Sequence, residues 1–156
     1  MTIEARLKKH LDGKGIRYDV VAHPHTSTSS FTAQSAHIPG TRVVKSVVVH
    51  HEMGYALAVV PSTHRVELGS LQAVMDRRLG LATEREITSI FSDCEPGAVP
   101  PIGAAYGVPV VLDECVGDEP DLYFEGGDHR SLIHVTSEAF RTLTKDAQRA
   151  RFSHHS

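Results

Sequence analysis

The sequence predicts an α+β fold built on a curled, mostly antiparallel mixed β-sheet, barrel-like and packed with several α-helices. Strand signals come in neighbouring pairs joined by short turns, at 43–51 with 55–60 and again at 122–124 with 132–135. Steady strand–helix alternation would instead mark a parallel α/β sheet. Amphipathic helical segments lie around those pairs, and no repeat or linker divides the chain. At 156 residues the chain suits one domain with a sizeable core. A single domain over 1–150 is therefore expected, with a loose polar tail at 151–156.

Residues 3–12 read as a first helix, with Ile3, Leu7 and Leu11 in one stripe, Thr2 as N-cap, and Gly13 and Gly15 at its end. A short strand from Tyr18 to Ala22 closes at His23-Pro24. The Ser/Thr-rich stretch His25 to Ser30 is a loop, and Thr32–His37 a short helix stopped by Pro39-Gly40. Next comes the strongest strand signal, Val43 to His51, with five valines in its first seven residues. It turns through Glu52-Met53-Gly54 into Tyr55–Val60, a hairpin that Pro61 ends. Val66 to Met75 is helical, with Leu68, Leu71, Val74 and Met75 on one side. Thr83-Glu84-Arg85-Glu86 is a capping box opening a helix that turns Ile87, Ile90 and Phe91 inward. Beyond the irregular stretch Cys94–Gly103, strands are expected at Val108–Leu112, Leu122–Phe124 and Leu132–Val135. A last helix starts at Thr136 and buries Ala139, Phe140 and Leu143.

Composition narrows the function. Sixteen Lys and Arg against nineteen Asp and Glu give a net charge of −3. That argues against a protein coating DNA or a long nucleic acid, and leaves room for a grip on one phosphate or one strand end. No apolar run approaches a membrane span, and Met-Thr-Ile-Glu-Ala-Arg lacks a signal-peptide core. Cys94 and Cys115 fit neither a disulfide framework nor a zinc knuckle, so a cytoplasmic protein with free thiols is expected. The eleven histidines are scattered without a His-Glu-x-x-His spacing, so no metal and no cofactor are expected.

Three places stand out chemically. In the valine strand, alternation puts Val43, Lys45, Val47 and Val49 on one face and Val44, Ser46 and Val48 on the other. A buried unpaired ammonium is costly, so Lys45 either snorkels to solvent or awaits a negative partner. Gly97-Ala-Val-Pro-Pro101 is a stiff Gly-x-x-x-Pro loop. It is either a plain structural turn or a set of amides, at Gly97, Ala98 and Val99, aimed at an oxyanion. Gly126-Gly-Asp-His-Arg130 is a turn whose His129 either positions a water or stands at an exposed hairpin tip. No Gly-x-Ser-x-Gly elbow, P-loop or basic-flanked cysteine is present, so covalent catalysis has no obvious nucleophile.

Taken in order, Val43-Val-Lys-Ser-Val-Val-Val49, Ala56-Leu-Ala-Val-Val-Pro61, Cys94-Glu-Pro-Gly-Ala-Val-Pro-Pro-Ile-Gly103 and Tyr123-Phe-Glu-Gly-Gly127 resemble the YbaK/prolyl-tRNA synthetase-associated domain family from about Tyr18 to Leu143. The resemblance implies that family's curled, mostly antiparallel sheet and an editing deacylase of mischarged tRNA, often tRNA for proline. It implies no cofactor, and as expected partners the tRNA acceptor end and an aminoacyl-tRNA synthetase. It assigns Lys45 to a phosphate of the acceptor end and the loop amides at Gly97 and Ala98 to the substrate carbonyl. His129 is similar to a histidine that some alanine-specific members place in the site. At Ser46 the chain departs from those members, which tend to carry asparagine, so alanine specificity is not carried over. With no nucleophile in sight, the tRNA's own terminal hydroxyl is expected either to help activate a water or to attack the ester itself, with Ser46, Phe31, Val47, Val99, Pro101 and Gly127 around the substrate. Two alternatives remain at this stage: a non-catalytic tRNA- or synthetase-binding module of the same fold, and a metal-dependent small-molecule hydrolase using the histidines.

Overall fold

A computed structural model describes residues 4–24, 33 and 37–155. The helices among them are α1 (Ala5–Gly13), α2 (Leu68–Met75), α3 (Glu84–Ile90) and α4 (Ser137–Leu143). The strands are β1 (Asp19–Ala22), β2 (Val43–His51), β3 (Gly54–Pro61), β4 (His64–Val66), β5 (Gly80–Leu81), β6 (Val110–Asp113), β7 (Asp121–Glu125), β8 (Ser131–Thr136), β9 (Gln148–Ala150) and β10 (Ser153–His155). The main sheet runs β1-β8-β7-β2-β3-β6-β9, with β5 also on β2, while β4 and β10 form a separate pair. The ladders β1–β8, β7–β8, β2–β3 and β2–β5 are antiparallel. The joins β2–β7, β3–β6 and β6–β9 are parallel. The expected α+β sheet is thus present, antiparallel for most of its length and stitched by parallel joins.

The valine hairpin is central because both of its faces are covered. Val44, Val48, Leu57 and Val59 pack with Leu7, Leu11, Phe91, Phe124 and Phe140. Val49, Ala58 and Val60 pack on the other side with Leu71 and Phe152. The capping box of α3 forms as expected: Glu86 N–H donates to Thr83 Oγ1 at 3.2 Å and Thr83 N–H to Glu86 Oε1 at 3.0 Å.

Several expectations change. Val66 does not begin a helix; it pairs with Ser153 in β4–β10, and α2 starts at Leu68. Residues 151–155 are not a loose tail: Phe152 is fully buried, β10 pairs with β4, and Phe152 N–H reaches Asp113 Oδ2 at 3.0 Å. One buried aromatic ring among charged neighbours is enough to seat the segment. Thr2, Ile3, Phe31, the loop His25–Ser30 and, apart from Ala33 and His37, the helix at 32–37 lie outside the described residues.

Candidate functional site

The site is set by how β2 is flanked. One edge of β2 keeps β3 from Val44↔Pro61 to His51↔Gly54. The other edge is shared: β7 pairs only with Val43 and Val44, and β5 only with Val49 and His50. Ala82 N–H closes on Val48 O at 3.0 Å. From Lys45 to Val47 this edge has no strand neighbour among the described residues, and these three side chains are partly exposed in an otherwise buried run. β7 peels away at Phe124, so Glu125 and the turn Gly126–Arg130 begin where the open edge begins.

Lys45 makes no hydrogen bond or ion pair among the described residues. Burial, and then the positive charge of Arg65 on β4, hold its ammonium below the ordinary lysine value. Ser46 projects to the opposite face, where its hydroxyl is buried without a hydrogen-bond partner among the described residues. Val47 packs with the Val49–Val60 side of the sheet and Val99 with the Val44–Val48 side. The strand thus separates Lys45 and Val47 from Ser46 and Val99, and only its open edge gives access to both.

The hairpin between β7 and β8 is not an exposed tip. His129 is 4% exposed and sits at φ +58°, in the left-handed region that non-glycine residues adopt uncommonly. Glu125, also buried, lies between two imidazoles: its Oε1 is 3.0 Å from His23 Nε2, and its Oε2 is 3.7 Å from His129 Nδ1. Asp128 shapes the turn by accepting Arg130 N–H at 2.9 Å and Ser131 Oγ–H at 3.3 Å. Gly127 has φ +112°, and a Cβ there would collide with Glu4 Cγ. That close approach lets Gly127 O accept Glu95 N–H at 2.8 Å, which ties the hairpin to the head of the Gly-x-x-x-Pro loop.

In that loop, Pro96–Ala98 forms a 3₁₀ turn, Gly97 is exposed, and Ala98, Val99, Pro100 and Pro101 are buried. Gly97 does not adopt a positive φ. Ala98 N–H is taken up by Glu95 O at 2.9 Å, so it is not available to an oxyanion as expected. The amides of Gly97 and Val99 have no acceptor among the described residues. Cys94, at the loop's start, is no nucleophile: burial pushes its thiol up to about 12, and it rests 3.2 Å from Tyr106 Oη.

Sequence reasoning missed His23, Glu125 and Arg65. His23 follows β1, whose antiparallel pairing with β8 sets His23 N–H on Arg130 O at 2.9 Å. Only that long-range register brings His23 to Glu125. Elsewhere, ligand atoms of His64, Asp113 and Cys115 lie within 4.8 Å of one another. Both Asp113 oxygens already accept, from Cys115 N–H, Phe152 N–H and Ser153 Oγ–H, which accounts for the residue structurally. A cleft of about 350 Å³ beside Met75, Val110 and Leu143 contains none of the expected site residues.

The family described as the aminoacyl-tRNA editing domain matches residues 23–143. The proline–tRNA ligase of Xanthomonas oryzae pv. oryzae is 38% identical over 105 residues, covering 65% of this chain and 18% of the ligase. The corresponding ligase of Xanthomonas axonopodis pv. citri is 37% identical over the same length. The chain thus corresponds to under a fifth of these curated relatives. A crystal structure of a candidate trans-editing enzyme for prolyl tRNA synthetase superposes with a TM-score of 0.85 at 30% identity, covering 96% of this chain and 95% of that one.

Proposed function

Because the chain belongs to the aminoacyl-tRNA editing domain family, we propose that it hydrolyses, in trans, the ester joining a small amino acid to a non-cognate tRNA. The observation that carries this reading is Lys45: a partly buried ammonium, beside a second cation at Arg65, with no carboxylate partner among the described residues. Two such cations, one of them on the open edge of β2 and the other on neighbouring β4, want an anion. A phosphate of the tRNA acceptor end supplies one without consuming the lysine chemically.

With the phosphate held there, a ligand at the open edge of β2 meets Lys45 on one face and the Ser46–Val99 side on the other. The amides of Gly97 and Val99 are the donors proposed for the ester carbonyl oxygen, with Ala98, Pro101 and Gly127 fixing their frame. Water, positioned by His129 and the tRNA's terminal hydroxyl, attacks the carbonyl carbon. Negative charge collects on the carbonyl oxygen, the bond to the ribose oxygen breaks, and that oxygen leaves with a proton. An aminoacyl ester is already activated, so positioning and oxyanion stabilisation, each worth roughly 10²-fold or more, suffice without a covalent intermediate. A buried, protonated Cys94 thiol agrees with that. Ser46, Val47, Val99 and Phe31 are the side chains proposed to set the size of the amino acid accepted, a discrimination of about 1–3 kcal/mol per methylene.

Proline tRNAs head the proposed substrates and a prolyl-tRNA synthetase the proposed partners, because the curated relatives are proline–tRNA ligases. The deciding experiment measures deacylation across a panel of mischarged tRNAs, for the wild type and Lys45→Ala. Hydrolysis of at least one small-residue ester, with a roughly 10²-fold or greater loss in Lys45→Ala, is expected. Unchanged rates in the variant would sink the assigned mechanism. Binding of the acceptor end without hydrolysis would make the chain a binding module instead, and loss of activity to a chelator would point to a metal hydrolase.

A further inference from the structure

The open edge of β2 has two faces, and a tRNA bound there has to arrive across one of them. The proposed carbonyl donors lie on the Ser46–Val99 side, which is also the side of α1, since Leu7 and Leu11 pack with Val44, Val48 and Val99. The proposed phosphate lies on the Lys45 side. Nucleotides leading to the terminal one therefore approach across the Lys45 face, and the β4–β10 ribbon stands beside Lys45 on that face.

The ribbon is seated there by apolar contacts. Val66 and Phe152 pack with Val47, Val49 and Val60, and Val60 is the cross-strand neighbour of Lys45 itself. Antiparallel register sets Ser153 opposite Val66 and His154 opposite Arg65. With Val66 and Ser153 turned inward, Arg65 and His154 share the outward face, and both are exposed. Phe152 O accepts Glu67 N–H at 2.7 Å, which carries the pairing one step further and brings the charge of Arg151 to Glu67. Glu67 is the carboxylate on this face, and its oxygens are engaged, one 2.7 Å from His154 Nδ1 and the other by Ser70 Oγ–H at 3.0 Å. Arg149 is spent on Val116 O at 2.7 Å. Arg65 makes no hydrogen bond or ion pair among the described residues, and its charge bears on Lys45.

Charge is therefore gathered locally in a chain whose net charge is −3: residues 149–155 hold two arginines and no carboxylate. The large apolar side chains exposed among the described residues, Met53 and Leu81, lie elsewhere, at the β2–β3 turn and on β5. A face of cations and polar groups without an apolar centre suits hydrated phosphates better than a protein surface. We propose that the outward face of β4–β10 is the docking surface for the acceptor-stem backbone of the tRNA, with Arg65 and Arg151 as its phosphate contacts. This rests on the deacylase reading. It gives the segment 151–155 a part in substrate binding, since burial of Phe152 holds the strand that completes the face. It also lets an acidic chain take a nucleic-acid substrate, because steering needs a local patch and not a basic total.

The test uses the intact chain and two readouts. One is steady-state deacylation of the mischarged tRNA that the wild type hydrolyses fastest. The other is binding of the uncharged transcript of the same tRNA, followed by fluorescence anisotropy over a series of salt concentrations. Arg65→Ala and Arg151→Ala each remove an exposed side chain, so both variants should keep the wild-type melting temperature. Arg65→Ala is expected to raise KM roughly tenfold with kcat kept, as for a charged hydrogen bond made equally in ground and transition states. The slope of log K against log salt should become shallower by about one. Arg151→Ala should act in the same sense and more weakly, because Glu67 lies beside it. Lys9→Ala removes an exposed cation from α1, on the opposite side of the sheet, and should change neither readout. Equal effects from Lys9→Ala and Arg65→Ala would reduce the face to overall charge and overturn the proposal. So would a KM and a salt slope that neither arginine variant moves. A lower kcat with KM kept in Arg65→Ala would also overturn it, by placing that arginine at the ester. A wild type that binds the transcript through these arginines yet hydrolyses no ester would overturn the deacylase reading and keep the docking surface.

Discussion

Asp113 and Glu125 are both buried carboxylates, 0% and 4% exposed, on either side of the central β2–β3 pair. Their partners differ in kind. Asp113 accepts from Cys115 N–H, Phe152 N–H and Ser153 Oγ–H, at 3.0, 3.0 and 2.8 Å. These are two backbone amides and a hydroxyl, and the Cys115 thiol, itself held above its ordinary value, adds to them. Burial alone would push Asp113 up, but the backbone donors of Cys115 and Phe152 outweigh it and leave it below the ordinary carboxylate value. Glu125 instead faces two imidazoles, those of His23 and His129. A carboxylate held by amides fixes a chain end, whereas one held by imidazoles can tune a site.

The largest effect expected from this contrast is on stability. Asp113→Ala leaves two buried donors, Phe152 N–H and Ser153 Oγ–H, and the part-buried Cys115 N–H unpaired and unseats β10, at a cost of about 3 kcal/mol or more. In a chain of this size that lowers Tm by roughly 6–12 °C. The kcat for deacylation by the protein that remains folded should be unchanged. The same contact carries a pH signature. Because the folded Asp113 value lies below the unfolded one, its contribution is complete above about pH 4 and is lost as pH falls through the folded value. Acid unfolding of the wild type should show that slope, and Asp113→Asn should flatten it. A variant that loses deacylation while keeping its Tm would put Asp113 on the functional side and break the contrast.

How much of this was readable beforehand follows the same division. The valine strand announced a central position because β-branched runs need packing on both faces, and both faces are packed. The capping box at Thr83–Glu86 was legible because it is a local contract between two residues. The segments carrying the candidate site, Lys45-Ser46, Gly97–Pro101 and Gly126–Arg130, were visible as local oddities. Their chemistry was less so. Ala98 looked like an available amide until the 3₁₀ turn took it up. His129 read on its own as an exposed hairpin tip, yet it is buried, in a turn whose Gly127 lies against Glu4 and Cys94. His23 reaches Glu125 only through the β1–β8–β7 ladders, and nothing in the residues near position 23 announces that register. Likewise Phe152 is one apolar residue among Arg149, Arg151, His154 and His155, too little for a periodic signal.

A middling effect tests whether Lys45 belongs with Glu125 on the functional side. Lys45→Met keeps the length and apolar stem and deletes a charge held below its usual value by burial and Arg65. Stability should rise by about 1 kcal/mol, well short of the gain for a fully buried ammonium because the side chain is partly exposed. Deacylation should fall as in Lys45→Ala. Activity lost with stability gained is the mark of a group kept for a ligand. A stability loss would mean instead that the ammonium already serves the fold.

The smallest expected effect is at Ser46, and it isolates a single hydroxyl. Its Oγ is buried without a partner among the described residues, the opposite of Asp113, whose every oxygen is engaged. An unpaired buried hydroxyl carries a desolvation cost that alanine removes, so Ser46→Ala should stabilise the protein by up to about 1 kcal/mol, or roughly 2–4 °C in Tm. If the hydroxyl pairs with the substrate, the same variant should raise KM several-fold and leave kcat in place, since the lost bond would be made equally in ground and transition states. A higher Tm with an unchanged KM would reduce Ser46 to a packing imperfection and confine recognition to Lys45 and the loop amides. A falling kcat would place the hydroxyl on the reacting atoms themselves, where the proposed mechanism has no role for it.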